Sequence, residues 1–96
     1  EMRKRINKNF DHPDVAQSVF SIGVTYEHLG DNLTALEFFL DAFEMRKRMF
    51  RDSDHPDLAK LLKCISIVYT KLNDKKNSDK YLSLWQSMRE RLNRRK

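Results

Sequence analysis

A stretch of 16 residues in this chain returns at an offset of 43, with 10 of its 16 positions unchanged. Glu1-Met2-Arg3-Lys4-Arg5 recurs as Glu44-Met45-Arg46-Lys47-Arg48, and Asp11-His12-Pro13-Asp14 recurs as Asp54-His55-Pro56-Asp57. The same offset pairs Tyr26 with Tyr69, Leu29 with Leu72, Asp31 with Asp74, and Met45-Arg46 with Met88-Arg89. A fixed period of this length constrains the fold more than any composition does. Each copy is one supersecondary unit that cannot bury its apolar face alone, so the units must stack.

Each unit reads as two helices. Val15, Val19, Ile22, Tyr26 and Leu29 are spaced by four, three, four and three, which predicts one apolar stripe along a first helix. Its copy is Leu58, Leu62, Ile65, Tyr69 and Leu72. The Asp-His-Pro-Asp segment carries helix-start signals: a residue able to cap, proline in the first turn, and an acid near the positive helix end. Asp11 and His12 are both candidates for the cap itself. Gly30-Asp31 stops the first helix and offers Asp31 as cap for the next, which carries Leu36, Phe39, Ala42, Phe43 and Met49 at helical spacing. Asn73-Asp74 makes the same turn in the second unit, since asparagine also tolerates the left-handed conformation. Residues 1–10 match the end of a second helix. The chain therefore divides into the end of a preceding repeat helix (1–10), repeat one (11–53) and repeat two (54–96). Two units and a remnant fall short of the three or so repeats that share a core, so further repeats are expected upstream.

These residues resemble the tetratricopeptide repeat. Gly23, Tyr26, Leu29-Gly30, Ala35, Phe39 and Ala42 stand in the order of that family's signature: a small residue facing a neighbouring helix, an aromatic, a Leu-Gly turn, then small and aromatic positions in the second helix. The long period and the Asp-His-Pro-Asp-Val-Ala opening look like the long-repeat subclass of kinesin light chains and nephrocystin-3. The resemblance implies an all-α fold, an α-solenoid of antiparallel helix pairs. In the second unit Ser66 keeps a small residue, but Asn73, Ser78 and Trp85 replace Gly30, Ala35 and Ala42. Trp85 is too large for the close approach that alanine permits. It is expected to cover the core of a C-terminal capping unit, with a partner-binding role as the alternative.

Chemistry finds little support in these residue types. His12 and His55 are copies within one motif, His28 stands apart, and the single cysteine, Cys64, has no Cys-His pattern around it. Metal binding needs clustered ligands, and a phosphate loop needs glycines; no enzymatic role, metal or cofactor is expected. No apolar run approaches the roughly 20 residues of a membrane span, and one cysteine forms no internal disulfide, so a soluble cytoplasmic setting is the expectation. The net charge of +5 resides largely in Arg46-Lys47-Arg48, Lys75-Lys76 and residues 89–96. Those runs lack the interleaved aromatics of base-stacking surfaces, which makes nucleic acid a poor candidate.

Function then rests on surface. The resemblance implies a concave groove lined by the first helices of successive units. Carried onto this chain, its positions are Gln17, Phe20, Ser21, Val24, Glu27 and His28 in the first unit, and Lys60, Lys63, Cys64, Ile67, Thr70 and Lys71 in the second. Helical spacing places these residues off the core stripe, and Phe20 with Val24 forms a second apolar stripe that Ile67 extends. Contact of Phe20 and Val24 with an adjacent repeat is the competing assignment. The asparagines that kinesin light chains place along this helix are Phe20, Ser21, Lys63 and Cys64 here, and the Lys-Asn clamp of chaperone-type repeats is absent from the first unit. The expected role is a non-enzymatic protein-interaction scaffold for a peptide with an apolar anchor and nearby acids. The alternative is a structural or regulatory element that packs within its parent protein or self-associates.

Overall fold

Two turns related by the repeat offset set the course of the chain. A computed structural model describes residues 12–51 and 53–94, so the expectations for residues 1–10 and for Asp11 lie outside the described residues. Four helices follow one another: α1 (Pro13–His28), α2 (Asn32–Met49), α3 (Pro56–Lys71) and α4 (Lys75–Arg94), with no strand among the described residues. Each helix packs against the next in sequence.

The helix ends repeat almost atom for atom. His12 and His55, both in extended backbone conformation, cap α1 and α3, and each Nδ1 accepts a hydrogen bond at 3.1 Å from the N–H of Asp14 or Asp57. The cap is thus the histidine. Gly30 and Asn73 both adopt the left-handed conformation, with φ of 87° and 63°. The paired bonds Asp31 N–H to Tyr26 carbonyl and Gly30 N–H to Glu27 carbonyl recur as Asp74 to Tyr69 and Asn73 to Thr70. They satisfy the carbonyls that a helix end leaves without partners. Asp31 and Asp74 then accept from the N–H groups of Thr34 and Asn77, each at 3.2 Å. Hydrogen bonds from Asn77, its side chain foremost, hold the Asp74 carboxyl below the usual aspartate range.

His55 has a second duty that His12 lacks in the described structure. Its ring stacks on Phe50 at 3.8 Å between centroids, closing the corner between the units, where Arg91 also grips Asp54 through two bonds of 2.8 and 2.9 Å. His55→Ala is therefore expected to destabilise more than His12→Ala, by about 1–2 kcal/mol against about 0.5–1, from the worth of a cap and a ring pair. Paired urea-denaturation midpoints of the two variants measure the difference, and equal losses would leave the stack without energetic weight.

The centre of the molecule is Phe39, fully buried. It lies so close to α1 that a Cβ on Gly23 would stand 2.8 Å from its ring, so the glycine is what permits the α1–α2 approach. Phe20 packs on the same ring at 5.6 Å, and Tyr26 stacks on Phe38 at 5.8 Å. Ala42 and Met45 of α2 and Leu61, Ile65 and Val68 of α3, all fully buried, continue this core across the unit boundary. In the second unit the small-residue contact becomes polar. The hydroxyls of Ser66 and Ser78 donate to each other's backbone carbonyls at 2.9 and 3.1 Å, and Thr70 stands 2.6 Å from the Ser78 hydroxyl.

One stripe differs from expectation. In α3, Leu58, Leu62 and Ile65 are buried as the spacing predicts, whereas in α1 the buried residues are Ala16, Val19, Phe20 and Gly23. Ile22 is 39% exposed and Leu29 74% exposed. The cause is neighbourhood rather than pattern. α3 packs between α2 and α4, while α1 has only α2 as a major neighbour among the described residues, and Gly23 must face Phe39.

Candidate interaction surface

The two first helices are tied to each other directly. Lys71 of α3 donates to Glu27 of α1 at 2.9 Å, and the Lys60 ammonium lies 4.9 Å from the centre of the Phe20 ring. These contacts bring the residues of the expected groove into one neighbourhood, though not in the state foreseen for all of them. Gln17 and Ser21 are exposed; Gln17 accepts from the buried Arg46 of α2 at 3.0 Å and donates to the Ser21 hydroxyl at 3.4 Å. Val24 is half-buried against the core, and His28 is exposed at the end of α1. Ile67 stands 39% exposed.

Phe20 is not part of an open strip. It is 8% exposed, with its ring on Phe39 and under Lys60, because the rotation that turns Gly23 toward α2 carries the residue three positions earlier with it. The apolar strip thus reduces to Val24 and Ile67. Thr70 has its hydroxyl engaged, donating to the Ser66 carbonyl one turn back in α3 at 3.1 Å and standing 2.6 Å from the Ser78 hydroxyl of α4. Lys71 is paired with Glu27, an ion pair between partly exposed side chains that is worth little in stability.

Cys64 is partly buried between these helices. Burial pushes its thiol above the ordinary range, and Glu27 adds to the shift against a smaller opposing effect of Lys60. The thiolate is the nucleophile. Alkylation by iodoacetamide is accordingly expected to need higher pH in the folded protein than in the urea-unfolded chain. A group raised on folding stabilises the fold below its unfolded value, and that contribution fades as pH rises through the folded one. Coincident pH profiles for the folded and unfolded protein would contradict the buried thiol.

A feature that the groove expectation missed lies between α3 and α4. Lys63 places its ammonium 4.0 Å from the centre of the Trp85 ring, and the Arg89 guanidinium carbon is 5.2 Å away. Trp85 itself is half-buried against the cluster of Leu58, Ala59, Leu62 and Met88. The signal was available in the sequence: Trp85 and Arg89 are four apart on one helix, and Lys60 and Lys63 three apart on another.

Among the described residues no group of three His, Cys, Asp or Glu side chains could hold a metal ion, and no helix is long and apolar enough to cross a membrane. No family model matches the chain, and no curated protein is significantly similar to it.

Proposed function

We propose that the chain is a non-enzymatic protein-interaction scaffold of the tetratricopeptide type, a solenoid segment working in a cytoplasmic setting. In this reading it binds a peptide or partner protein across the face shared by α1 and α3. The observation that supports it is the tie between those two helices, Lys71 to Glu27 and Lys60 over Phe20, which sets α1 and α3, with the partly exposed Val24 and Ile67, side by side. An apolar contact ringed by cations suits a partner segment with one bulky apolar residue and acids near it. Charge then steers encounter, while buried area supplies affinity. The long-repeat kinesin-light-chain type is the form of the family that the 43-residue period favours.

The test is a peptide-display selection against the whole chain, followed by titration of the enriched peptides. The double variant Val24→Asp with Lys63→Glu is expected to bind them at least about tenfold more weakly, as loss of a central contact does, with unchanged helical circular dichroism. Retained binding removes this face from consideration. A second reading, in which the region packs on its own protein or self-associates, draws on Ile22, Leu29 and Leu33, exposed by 39%, 74% and 66%. A clean monomer in sedimentation, well above micromolar concentration, counts against self-association.

A further inference from the structure

Four cations of this molecule have polar side-chain partners of known geometry. Lys71 pairs with Glu27, Lys75 with Asp79, and Arg91 with Asp54, while Arg46 is bonded to Gln17. Lys60, Lys63 and Arg89 differ from these, and they lie closer to their rings, at 4.0–5.2 Å, than Lys47 to Phe43 or Lys80 to Tyr81, at 6.0 and 5.8 Å. Each lies over an aromatic ring, and none has a carboxylate partner among the described residues. Arg89 and Lys60 line a cleft of about 390 Å³ between α3 and α4, walled also by Pro56, Ala59, Leu92 and Trp85, and Lys63 lies over the Trp85 ring. No lining residue is acidic.

We propose that this α3–α4 cleft is a docking site for an acidic peptide segment, with an aliphatic side chain seated on Trp85 and carboxylates held by Arg89, Lys60 and Lys63.

The physical case rests on what an aromatic ring does to a nearby cation. With its guanidinium carbon 5.2 Å from the indole centre, Arg89 is drawn toward the ring without using up its N–H donors, a fork that fits a carboxylate. The side-chain entropy of binding is then partly met before the ligand arrives, which favours affinity. Lys63 over the same indole adds a compact charge that needs no particular orientation. The apolar wall formed by Pro56, Ala59, Leu92 and the indole leaves room for a side chain of leucine size, and apolar burial there supplies the affinity that exposed charges alone do not. An extended phosphate track fits less well, since the nearest further cation on α4, Arg91, is already bound to Asp54 in a two-point contact. Trp85 is thus half-buried against an apolar cluster and flanked by two cations.

The inference rests on the interaction reading above and shares Lys60 and Lys63 with it, but it turns on Trp85 and Arg89 where that reading turns on Val24 and Ile67, so the two can fail separately. Trp85 is the only tryptophan in the chain, and its fluorescence reports on the cleft directly. The probe is a capped pentapeptide of two glutamates, a leucine and two glutamates, titrated into the whole chain. A matched peptide with lysines in place of the glutamates and an oligothymidylate serve as controls. The acidic peptide is expected to change the emission saturably and to weaken as salt is raised. The double variant Lys60→Gln with Arg89→Gln should bind it about tenfold or more weakly, as loss of charge-assisted contacts implies, while Lys75→Gln at the other end of α4 leaves it unchanged. No saturable change, equal response to the lysine peptide, tighter binding of the oligothymidylate, or an unaffected Lys60→Gln/Arg89→Gln variant each overturns the assignment. If the display-selected peptides still depend on Val24 in that event, the cleft falls and the α1–α3 face stands.

Discussion

Replacing Phe39 with alanine is expected to cost about 3–5 kcal/mol, the range for deleting a fully buried aromatic ring. That is a large share of the total for a 96-residue chain, whose stability at roughly 0.05–0.15 kcal/mol per residue is on the order of 5–14 kcal/mol. The residue has no exposed surface and stands where α1 meets α2: Gly23 lies under its ring edge, Phe20 packs on it at a tilt, and Ala42 and Met45 continue the core from it toward α3. Urea denaturation followed by circular dichroism should show a much lower midpoint, with α1 and α2 losing structure first. The coupling to Gly23 gives the sharper version of the test. Gly23→Ala gains about 1 kcal/mol of helix propensity in an ordinary helix interior, but its Cβ would stand 2.8 and 2.9 Å from two carbons of the Phe39 ring. It should therefore destabilise the wild-type chain and become neutral or stabilising when Phe39 is leucine. Additive effects of the two substitutions would show that the ring and the glycine are not in energetically significant contact.

That pair also marks how far the sequence could be read. Gly23 and Phe39 were legible because each obeys a rule that acts locally or through a repeat: a small residue at a crossing, an aromatic filling the space beside it. The same holds for Gly30, Asn73, Asp31 and Asp74, whose conformations and bonds follow from turn chemistry. What escaped depends on neighbours. Val15, Val19 and Ile22 have the same spacing as Leu58, Leu62 and Ile65, yet only the second trio is fully enclosed, because α3 has helices on two sides. Periodicity reports which residues share a face and is silent on whether anything covers it. Phe20 looked like surface for that reason, and it is core. The histidine caps were narrowed to two candidates and no further, since imidazole is outside the usual capping residues and only the 3.1 Å bonds to Asp14 and Asp57 decide it. Of the groove residues, Gln17, Ser21 and Ile67 are exposed as the spacing implied, whereas Thr70 and Lys71 are engaged by Ser66 and Glu27. Those partners sit on the neighbouring turn or the neighbouring unit, and no one-dimensional pattern ranks such choices.

Transplanting the one large difference between the units should expose the same asymmetry as an energy. Ala42→Trp places in the first unit the residue that Trp85 supplies in the second. Ala42 has no exposed surface, and it lies in the cluster that joins α2 to Leu61, Ile65 and Val68 of α3. An indole there has no void to enter, and overpacking of a closed core costs about 1–3 kcal/mol or more as helices are forced apart. The loss should fall on the α2–α3 contact in particular, so that amide exchange quickens in α3 while the α1–α2 pair, centred on Phe39, keeps its protection. The reverse change, Trp85→Ala, removes a half-buried ring from the edge of the smaller cluster and should cost less than deletion of an enclosed aromatic. If Ala42→Trp is instead tolerated with a full-strength α2–α3 contact, the boundary between the units must be loose enough to accept an indole, and the size difference between Ala42 and Trp85 then has no packing cause. A strongly destabilised Trp85→Ala would carry a different meaning, placing the indole among the supports of α4 and making Lys63 and Arg89 cations that gather over a structural ring.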